Sequence, residues 1–367
     1  MKQVLKRVLA FMLGGPFVRF IPSHIIKLVS SEKAEQIVAI HSPDPGNSAI
    51  CVHEWPRPDY DLSIIIPVYN ADRFLERCLD SVINQKTRFS YHVIVVNDGS
   101  SDNSADILVR YRDIVSVTII DQENGGAAMA RNTGLMKVRG RFIMFVDADD
   151  LLPVNAVDSL ICAAYDMNAD IVQGGYLYIN ESGDSCIKKR IHKRCNHVAP
   201  NGILEGLVCG KIYRADLFQQ VCFPEGYWFE DTIITAIITH LANNIAMIPD
   251  ICYLYRTNSS GMTSIGRGRP KSVDSFWVQK RVLSERKKLG LMTDCAFYEH
   301  LLRMVALCYK RTENEPRDIQ LCLLTLWKDL LEQERSEFLL KGKYRNLEQA
   351  IMEGDFGKYR ILCKYCF

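Results

Sequence analysis

Acidic side chains follow two of the most hydrophobic runs in the sequence. Asp98 comes after the run 93–96, and Asp147 and Asp149 come after the run 142–146. In an extended chain residues i and i+2 point to the same side, so Asp147 and Asp149 can face one site together. Two such carboxylates repel each other unless a cation lies between them and an anion. Oxygen ligands of this kind suit Mg²⁺ or Mn²⁺, which would bridge to a diphosphate. The alternative, a polar turn with a helix cap, is less favoured at the end of a buried strand.

The elements that must position these groups alternate between strand and helix. Short apolar runs predict buried strands, and runs with a 3.6-residue apolar period predict helices. Such alternation is typical of an α/β unit with a largely parallel sheet, whose ligands bind beyond the carboxyl ends of the strands. The predicted strands are 62–70, 92–99, 115–120, 141–147 and 245–255, with a hairpin of 170–180 and 185–191; the predicted helices are 74–82, 100–112, 127–137, 155–166 and 231–241.

Composition divides the chain into four segments. Residues 1–60 are basic and apolar and end in a proline-rich linker, and 266–367 is predicted to be a helical C-terminal region. Between them lie 61–165, where predicted strands and helices alternate, and 166–265, where the alternation becomes less regular. The 367 residues carry a net charge of +2, which gives no global indication of nucleic-acid binding. No run reaches the roughly 18 apolar residues of a membrane span.

Two interpretations of the first 29 residues stay open. Lys2, Lys6 and Arg7 lie among apolar residues, so this segment could rest on an anionic membrane surface. It could equally be a helix packed on its own domain, whereas a cleaved signal peptide is less well supported. The 13 cysteines are scattered and odd in number, which favours free thiols in a reducing compartment. We therefore expect a cytoplasmic protein that could contact the inner face of the cytoplasmic membrane.

Two common nucleotide-binding folds are disfavoured. The turn after the first strand, 70–72, contains no GxGxxG, so the glycines that let a backbone approach a pyrophosphate are missing. A P-loop is also absent from the sequence. A nucleotidyltransferase would be expected to carry a glycine-rich basic loop at that point, and the sequence has none.

Four sequence blocks in order resemble one known family. The blocks are 63–70 (SIIIPVYN), 96–103 (VNDGSSDN), 124–134 (NGGAAMARNTG) and 145–150 (FVDADD). Together they resemble family 2 glycosyltransferases over about residues 60–260. The resemblance implies a GT-A fold, here with a mainly parallel central sheet flanked by helices and a helical C-terminal appendage. It also implies inverting transfer of a sugar from a nucleoside-diphosphate sugar, UDP-linked by expectation, with Mn²⁺ or Mg²⁺ as cofactor.

The resemblance makes 61–165 the nucleotide-sugar-binding half of the GT-A domain and 166–265 its acceptor half. It assigns roles to individual residues of 61–165. Pro67, Tyr69 and Asn70 would border the nucleotide, and Asp98 would accept a hydrogen bond from the base. Arg131 would support the pocket for the base or phosphate, Asp147 would contact the ribose or the metal, and Asp149 would bind the metal. A helix-surface ion pair is the alternative for Arg131.

The second half supplies a candidate base. Asp231 alone would be predicted to cap a helix, but the family places its general base in such a Glu-Asp pair. The resemblance therefore implies that Asp231 is the catalytic base and that Glu230 is the catalytic neighbour that orients the acceptor or tunes the pair. It also places Lys211 beside the acceptor and Arg256 near the diphosphate, in a segment that continues through Ser259 and Ser264. A surface ion pair and a polar loop are the alternatives for these two cations.

These residues predict an enzyme that extends a glycan or lipid-linked acceptor. We expect its product to be a surface polymer such as lipopolysaccharide, capsule or exopolysaccharide. The alternative is a catalytically inactive scaffold that binds a sugar nucleotide, against which the presence of both Asp149 and Asp231 argues.

Overall fold

The computed structural model describes residues 18, 21, 23–46, 53–200, 207–258 and 268–367. The chain forms two compact units. The sheet unit comprises Asn47–Gly226 and Glu230–Gly261, and the helical unit comprises Met1–Gly46, Tyr227–Phe229 and Met262–Phe367, each as far as its residues are described.

An eight-stranded mixed sheet forms the centre of the sheet unit, in the order β3-β2-β1-β4-β7-β5-β6 with β8 paired to β5. Neighbours β3, β2, β1 and β4 run parallel, as do β5 and β8, whereas β7 is antiparallel to β4 and β5, and β6 to β5. The strands are β1 (Tyr60–Val68), β2 (Tyr91–Asp98), β3 (Val117–Gln122), β4 (Gly140–Phe145), β5 (Ile171–Ile179), β6 (Cys186–Arg190), β7 (Lys211–Arg214) and β8 (Ile245–Arg256). The predicted α/β architecture with a mainly parallel sheet is confirmed.

The helices of the sheet unit cover the buried strands. They are α2 (Asp72–Ile83), α3 (Ser104–Val109), α4 (Gly126–Leu135), α5 (Ala156–Asp166) and the short α6 (Thr239–Leu241). The apolar side of α2 buries Leu75, Leu79 and Val82, as its periodicity predicts. Helix α4 lies so close to β1 that a Cβ on Gly134 would fall 2.5 Å from Ile65 Cγ2, so this contact requires glycine.

Three local predictions differ from the structure. Strand β7 was not predicted, because four residues are too few to show a period. The helix predicted from 100 begins only at Ser104, since the Asp102 carboxylate accepts its backbone N–H at 3.0 Å. The helix predicted over 231–241 is a π-helix over Ile234–Ile238 followed by α6. Its β-branched isoleucines crowd an ordinary α-helical turn.

The helical unit contains α1 (Ser31–His41) and five C-terminal helices. Helix α1 packs against α9. Just before it, Ser23 Oγ donates to Asp355 at 2.5 Å. Residues 23–29 contain no helix, and most of the first 29 residues lie outside the described ranges, so the two interpretations of that segment stay predictions. The cations at 2, 6 and 7 lie outside the described residues. The C-terminal helices are α7 (Asp274–Lys288), α8 (Cys295–Thr312), α9 (Arg317–Glu334), α10 (Gly342–Met352) and α11 (Phe356–Tyr365).

Two properties bear on the environment of the protein. Across the ranges given above, no helix combines the length and the apolar content that crossing a bilayer demands. The cysteines in the same ranges are all free thiols.

Candidate active site

The carboxyl ends of β1 and β2 are joined by polar contacts. Asn70 adopts a left-handed conformation (φ 48°), and its backbone N–H donates to Ser100 Oγ at 3.1 Å. Its side-chain oxygen accepts the Ser101 N–H at 2.8 Å. Pro67 is half-buried and Tyr69 is exposed beside it. A flat group that entered this edge could therefore lie against Tyr69, and the roles of all three residues toward a nucleotide remain predictions.

Asp98 is buried at the end of β2 and binds the loop that leads into α4. Its carboxylate accepts the N–H groups of Gly125 at 2.9 Å and Gly126 at 2.8 Å, and the Gln122 amide at 2.7 Å. These donors use both carboxylate oxygens within the protein. Asp98 therefore holds the loop that leads into α4, and its hydrogen bond to a base stays a prediction.

Asp98→Asn should destabilise the protein by about 1–3 kcal/mol, since one amide oxygen cannot serve three donors and the new NH₂ group faces N–H groups. The free energy of unfolding from urea titration checks this. Asp113→Asn makes the same chemical change at an exposed position, where we expect less than about 0.5 kcal/mol. Equal losses of unfolding free energy in the two variants would show that the hydrogen bonds of Asp98 do not stabilise the protein.

Three carboxylates follow β4. Burial raises the pKa of Asp149, and the negative charge of Asp147 raises it further. Burial also raises the pKa of Asp150 well above its usual range, with further contributions from Asp149 and Asp147. Nothing in the sequence distinguishes Asp150 from Asp147 and Asp149, but in the structure the Asp150 carboxylate accepts the Arg256 backbone N–H at 2.6 Å. Asp147 and Asp149 thus form a concentration of negative charge at the strand end.

This concentration of charge fits a divalent cation whose coordination is completed by a substrate. In the part of the chain that is described, no three His, Cys, Asp or Glu side chains are arranged to hold a metal by themselves. Mg²⁺ and Mn²⁺ are commonly bound by one or two carboxylates together with substrate phosphates. Asp147 and Asp149 could supply those carboxylates.

Arg131 on α4 links the two halves of the site. Its Nη2 atom donates to Asp147 at 2.9 Å, and its Nη1 atom donates to Glu230. Arg131 and Glu230 are both buried, so the helix-surface ion pair considered for Arg131 is wrong. Burial alone would lower the pKa of Arg131, but the two carboxylates raise it above its usual value. The guanidinium is therefore a permanent positive charge between the Asp147 and Glu230 carboxylates.

Asn132 fastens the segment that leads to Glu230. Its side-chain oxygen accepts the Phe223 N–H at 2.8 Å, and its NH₂ group donates to the Phe223 carbonyl and to Glu225, each at 2.9 Å. Sequence reasoning assigned no role to Asn132, although it lies in the block that contains Arg131. Two adjacent residues of α4 thus hold the stretch that precedes the predicted base.

Asp231 follows Glu230 directly in the chain and is half-buried. Burial lowers the pKa of Lys211 on β7 to about 7. The charges of Cys209 and Asp231 act in the opposite direction and raise it. The Lys211 ammonium is fully buried and donates to the carbonyl of Leu207 and to the Tyr176 hydroxyl at 3.2 Å. Lys211 is therefore not part of a surface ion pair. It anchors the chain around 207–211 beside the predicted base.

Arg256 is buried at the end of β8, next to the Asp149 and Asp150 pair. Its Nε atom donates to the Asp149 carbonyl at 2.7 Å, and Nη1 donates to the Glu181 carbonyl at 2.5 Å. Burial lowers its pKa, and the nearby Arg77 lowers it further. Ser259 and Ser264, which continue the predicted diphosphate segment, lie outside the described residues. Arg256 is therefore not part of an exposed polar loop, and its contact with a diphosphate stays a prediction.

Comparison with known proteins identifies the family. The model of glycosyl transferase family 2 matches residues 63–222. Glycosyltransferase GlyG of Streptococcus pneumoniae is 31% identical over 218 residues, which cover 55% of this chain and 72% of GlyG. The chain belongs to glycosyl transferase family 2.

Two further comparisons give the length of chain that is matched and the similarity of the fold. Glycosyltransferase GlyA of S. pneumoniae is 32% identical over 56% of this chain, but the match spans only 32% of GlyA. A crystal structure of Staphylococcus aureus TarS 1–349 in complex with UDP-GlcNAc matches with a TM-score of 0.65 and 21% identity, over 83% of this chain and 90% of that one. TarS is named a poly(ribitol-phosphate) beta-N-acetylglucosaminyltransferase. At this identity the likeness establishes the fold, which is the predicted GT-A fold.

Proposed function

We propose that this family 2 protein transfers a sugar from a nucleoside-diphosphate sugar to an acceptor hydroxyl with inversion at the anomeric carbon. One observation carries the proposal: Arg131 joins Asp147, at the end of a central strand, to Glu230, the neighbour of Asp231. Half-buried carboxylates suited to a donor are thereby linked, through the buried Arg131 and Glu230, to the residue beside a carboxylate suited to a base. A protein that only bound a sugar nucleotide would not need the second group.

The reaction follows from the roles of these residues. Asp231 accepts the proton of the acceptor hydroxyl while that oxygen forms a bond to the anomeric carbon. The bond from the anomeric carbon to the diphosphate oxygen breaks, and its electron pair stays on the leaving diphosphate. Attack from the face opposite the leaving group inverts the configuration. Glu230 keeps the base segment in place through Arg131.

Charge on the leaving diphosphate must be balanced. Asp147 and Asp149 would hold Mn²⁺ or Mg²⁺, which when bound neutralises negative charge on the departing phosphates. Arg256 would add a fixed positive charge close to the same place. Tyr69 would lie against the base, while Asn70 and Asp98 keep the ends of β1 and β2 in position.

The donor is proposed to be UDP-linked and the acceptor to be a glycan or a lipid-linked glycan. The UDP-GlcNAc in the TarS crystal structure and the polymer in the TarS name support this choice. Synthesis of a cell-surface polymer, at the inner face of the cytoplasmic membrane, is the setting that we propose for the enzyme.

Equilibrium binding of a nucleotide panel tests the donor assignment. We expect UDP or a UDP-sugar to bind in the presence of Mn²⁺, more tightly than the GDP and dTDP compounds. Asp149→Asn should weaken that binding at least tenfold, whereas Asp113→Asn should leave it unchanged. Binding that is equally tight without Mn²⁺ and in Asp149→Asn would contradict the metal assignment.

A further inference from the structure

Strand β6 and the residues after it concentrate positive charge on the surface of the sheet unit. Lysine or arginine occupies positions 188, 189, 190, 193 and 194, and the segment 186–195 contains no aspartate or glutamate. All five cationic side chains are exposed. Since the whole chain has a net charge of only +2, this segment, the basic edge, differs strongly from the average surface.

The basic edge also exposes large apolar side chains. Ile187 is 59% exposed and Ile191 is 53% exposed. Strand edges often carry lysine to prevent pairing with another sheet, but exposed isoleucines work against that purpose. Protection of the edge therefore does not account for the pattern. Cations interspersed with apolar side chains fit a surface that is anionic and has an apolar layer just beneath it.

One end of the basic edge lies close to the candidate site. Cys186 is opposite Ile179 on β5, and Ile179 is opposite Arg256 on β8. Two strand spacings therefore separate Cys186 from Arg256, about 10 Å at about 4.8 Å per spacing. At the other end of the basic edge, Cys195 pairs with Met247 near the start of β8. A surface in contact with β6 would bring an acceptor anchored in it near the carboxylates that follow β4.

We propose that the basic edge docks on an anionic phospholipid surface. This deepens the proposed function by naming the surface at which the acceptor is met, and lipid binding itself requires no turnover. Lys188, Lys189 and Lys193 would lie among the headgroups, with Ile187 and Ile191 reaching the boundary of the acyl chains. Each lysine near an anionic surface strengthens binding about fivefold.

Vesicle co-sedimentation of the full chain tests the proposal. Vesicles of phosphatidylcholine with phosphatidylglycerol should bind the protein, and vesicles of phosphatidylcholine alone should not. The triple variant Lys188→Gln, Lys189→Gln, Lys193→Gln should bind about 100-fold more weakly. A matched triple variant, Lys33→Gln, Lys137→Gln, Lys341→Gln, removes the same charge from exposed positions elsewhere and should bind like the wild type.

Two results would overturn the docking proposal. One is equal vesicle binding by the two triple variants. The other is binding of soluble polyphosphate through the three lysines with no binding to anionic vesicles, which would assign the basic edge to a polyanionic polymer. The double variant Ile187→Ser, Ile191→Ser should weaken binding to vesicles and leave any binding of polyphosphate unchanged. Release of nucleoside diphosphate in the absence of vesicles should be unchanged in all these variants, so failure of the docking proposal is distinguishable from failure of the enzyme assignment.

Discussion

Asp231→Asn is expected to lower kcat for sugar transfer about 10²–10⁴-fold, because an amide cannot accept the proton of the acceptor hydroxyl. The side chains have nearly the same shape, so the segment that Asn132 and Arg131 hold should keep its conformation. Donor affinity, measured by nucleotide titration, should therefore change little. The loss should appear in kcat rather than in KM for the donor.

Asp250→Asn is the matched control for this change. Asp250 is exposed in β8, where the pairing with β5 shifts register, and its replacement should leave kcat within about twofold because it lies outside the candidate site. An Asp231→Asn enzyme with wild-type kcat would remove Asp231 from the role of base. Glu230, which Arg131 holds, would then be the next carboxylate to test.

Arg131→Met should destabilise the protein by about 3–5 kcal/mol, because the buried Glu230 carboxylate and the Asp147 carboxylate would lose the charge between them. The free energy of unfolding from urea titration measures this loss. Arg139→Met is the control, since Arg139 forms an exposed ion pair with Asp59 that is worth about 0–1 kcal/mol.

A double-mutant cycle separates the ion pair from simple loss of packing. Adding Glu230→Gln to Arg131→Met removes the stranded carboxylate and should recover about 0.5–3 kcal/mol. If the effects of the two substitutions on the free energy of unfolding are additive, the ion pair between Arg131 and Glu230 does not stabilise the protein. The proposed link between the two halves of the site would then be wrong.

The sequence predicts the parts of this site that depend on strand ends. Asp98, Asp147 and Asp149 follow apolar runs whose length and composition identify buried strands, and parallel strands bring their carboxyl ends to one edge. Those placements need only local patterns and the rule for parallel sheets. The motif blocks then direct attention to Asp231, which an isolated helix-cap pattern would have explained differently.

Long-range contacts are the part that the sequence does not reveal. Arg131 and Glu230 are 99 residues apart, and Asn132 and Phe223 are 91 apart. No periodicity connects such positions. Strand β7 is similar, because four residues inserted between β4 and β5 become a strand only through their neighbours on both sides. Lys211 is buried because β7 lies between two other strands. The sequence does not reveal this burial, so it could not be considered when Lys211 was predicted to lie beside the acceptor.

The most direct test of the account is release of nucleoside diphosphate from UDP-, GDP- and dTDP-sugars by the full chain with and without Mn²⁺. We predict slow, Mn²⁺-dependent hydrolysis of one UDP-sugar, lost in Asp149→Asn and retained in Asp113→Asn. Failure of every donor to be hydrolysed, together with failure of every nucleotide to bind in the presence of Mn²⁺, would contradict the account. Binding of a UDP-sugar that is never turned over, even with an acceptor glycan present, would instead identify a catalytically inactive sugar-nucleotide-binding scaffold.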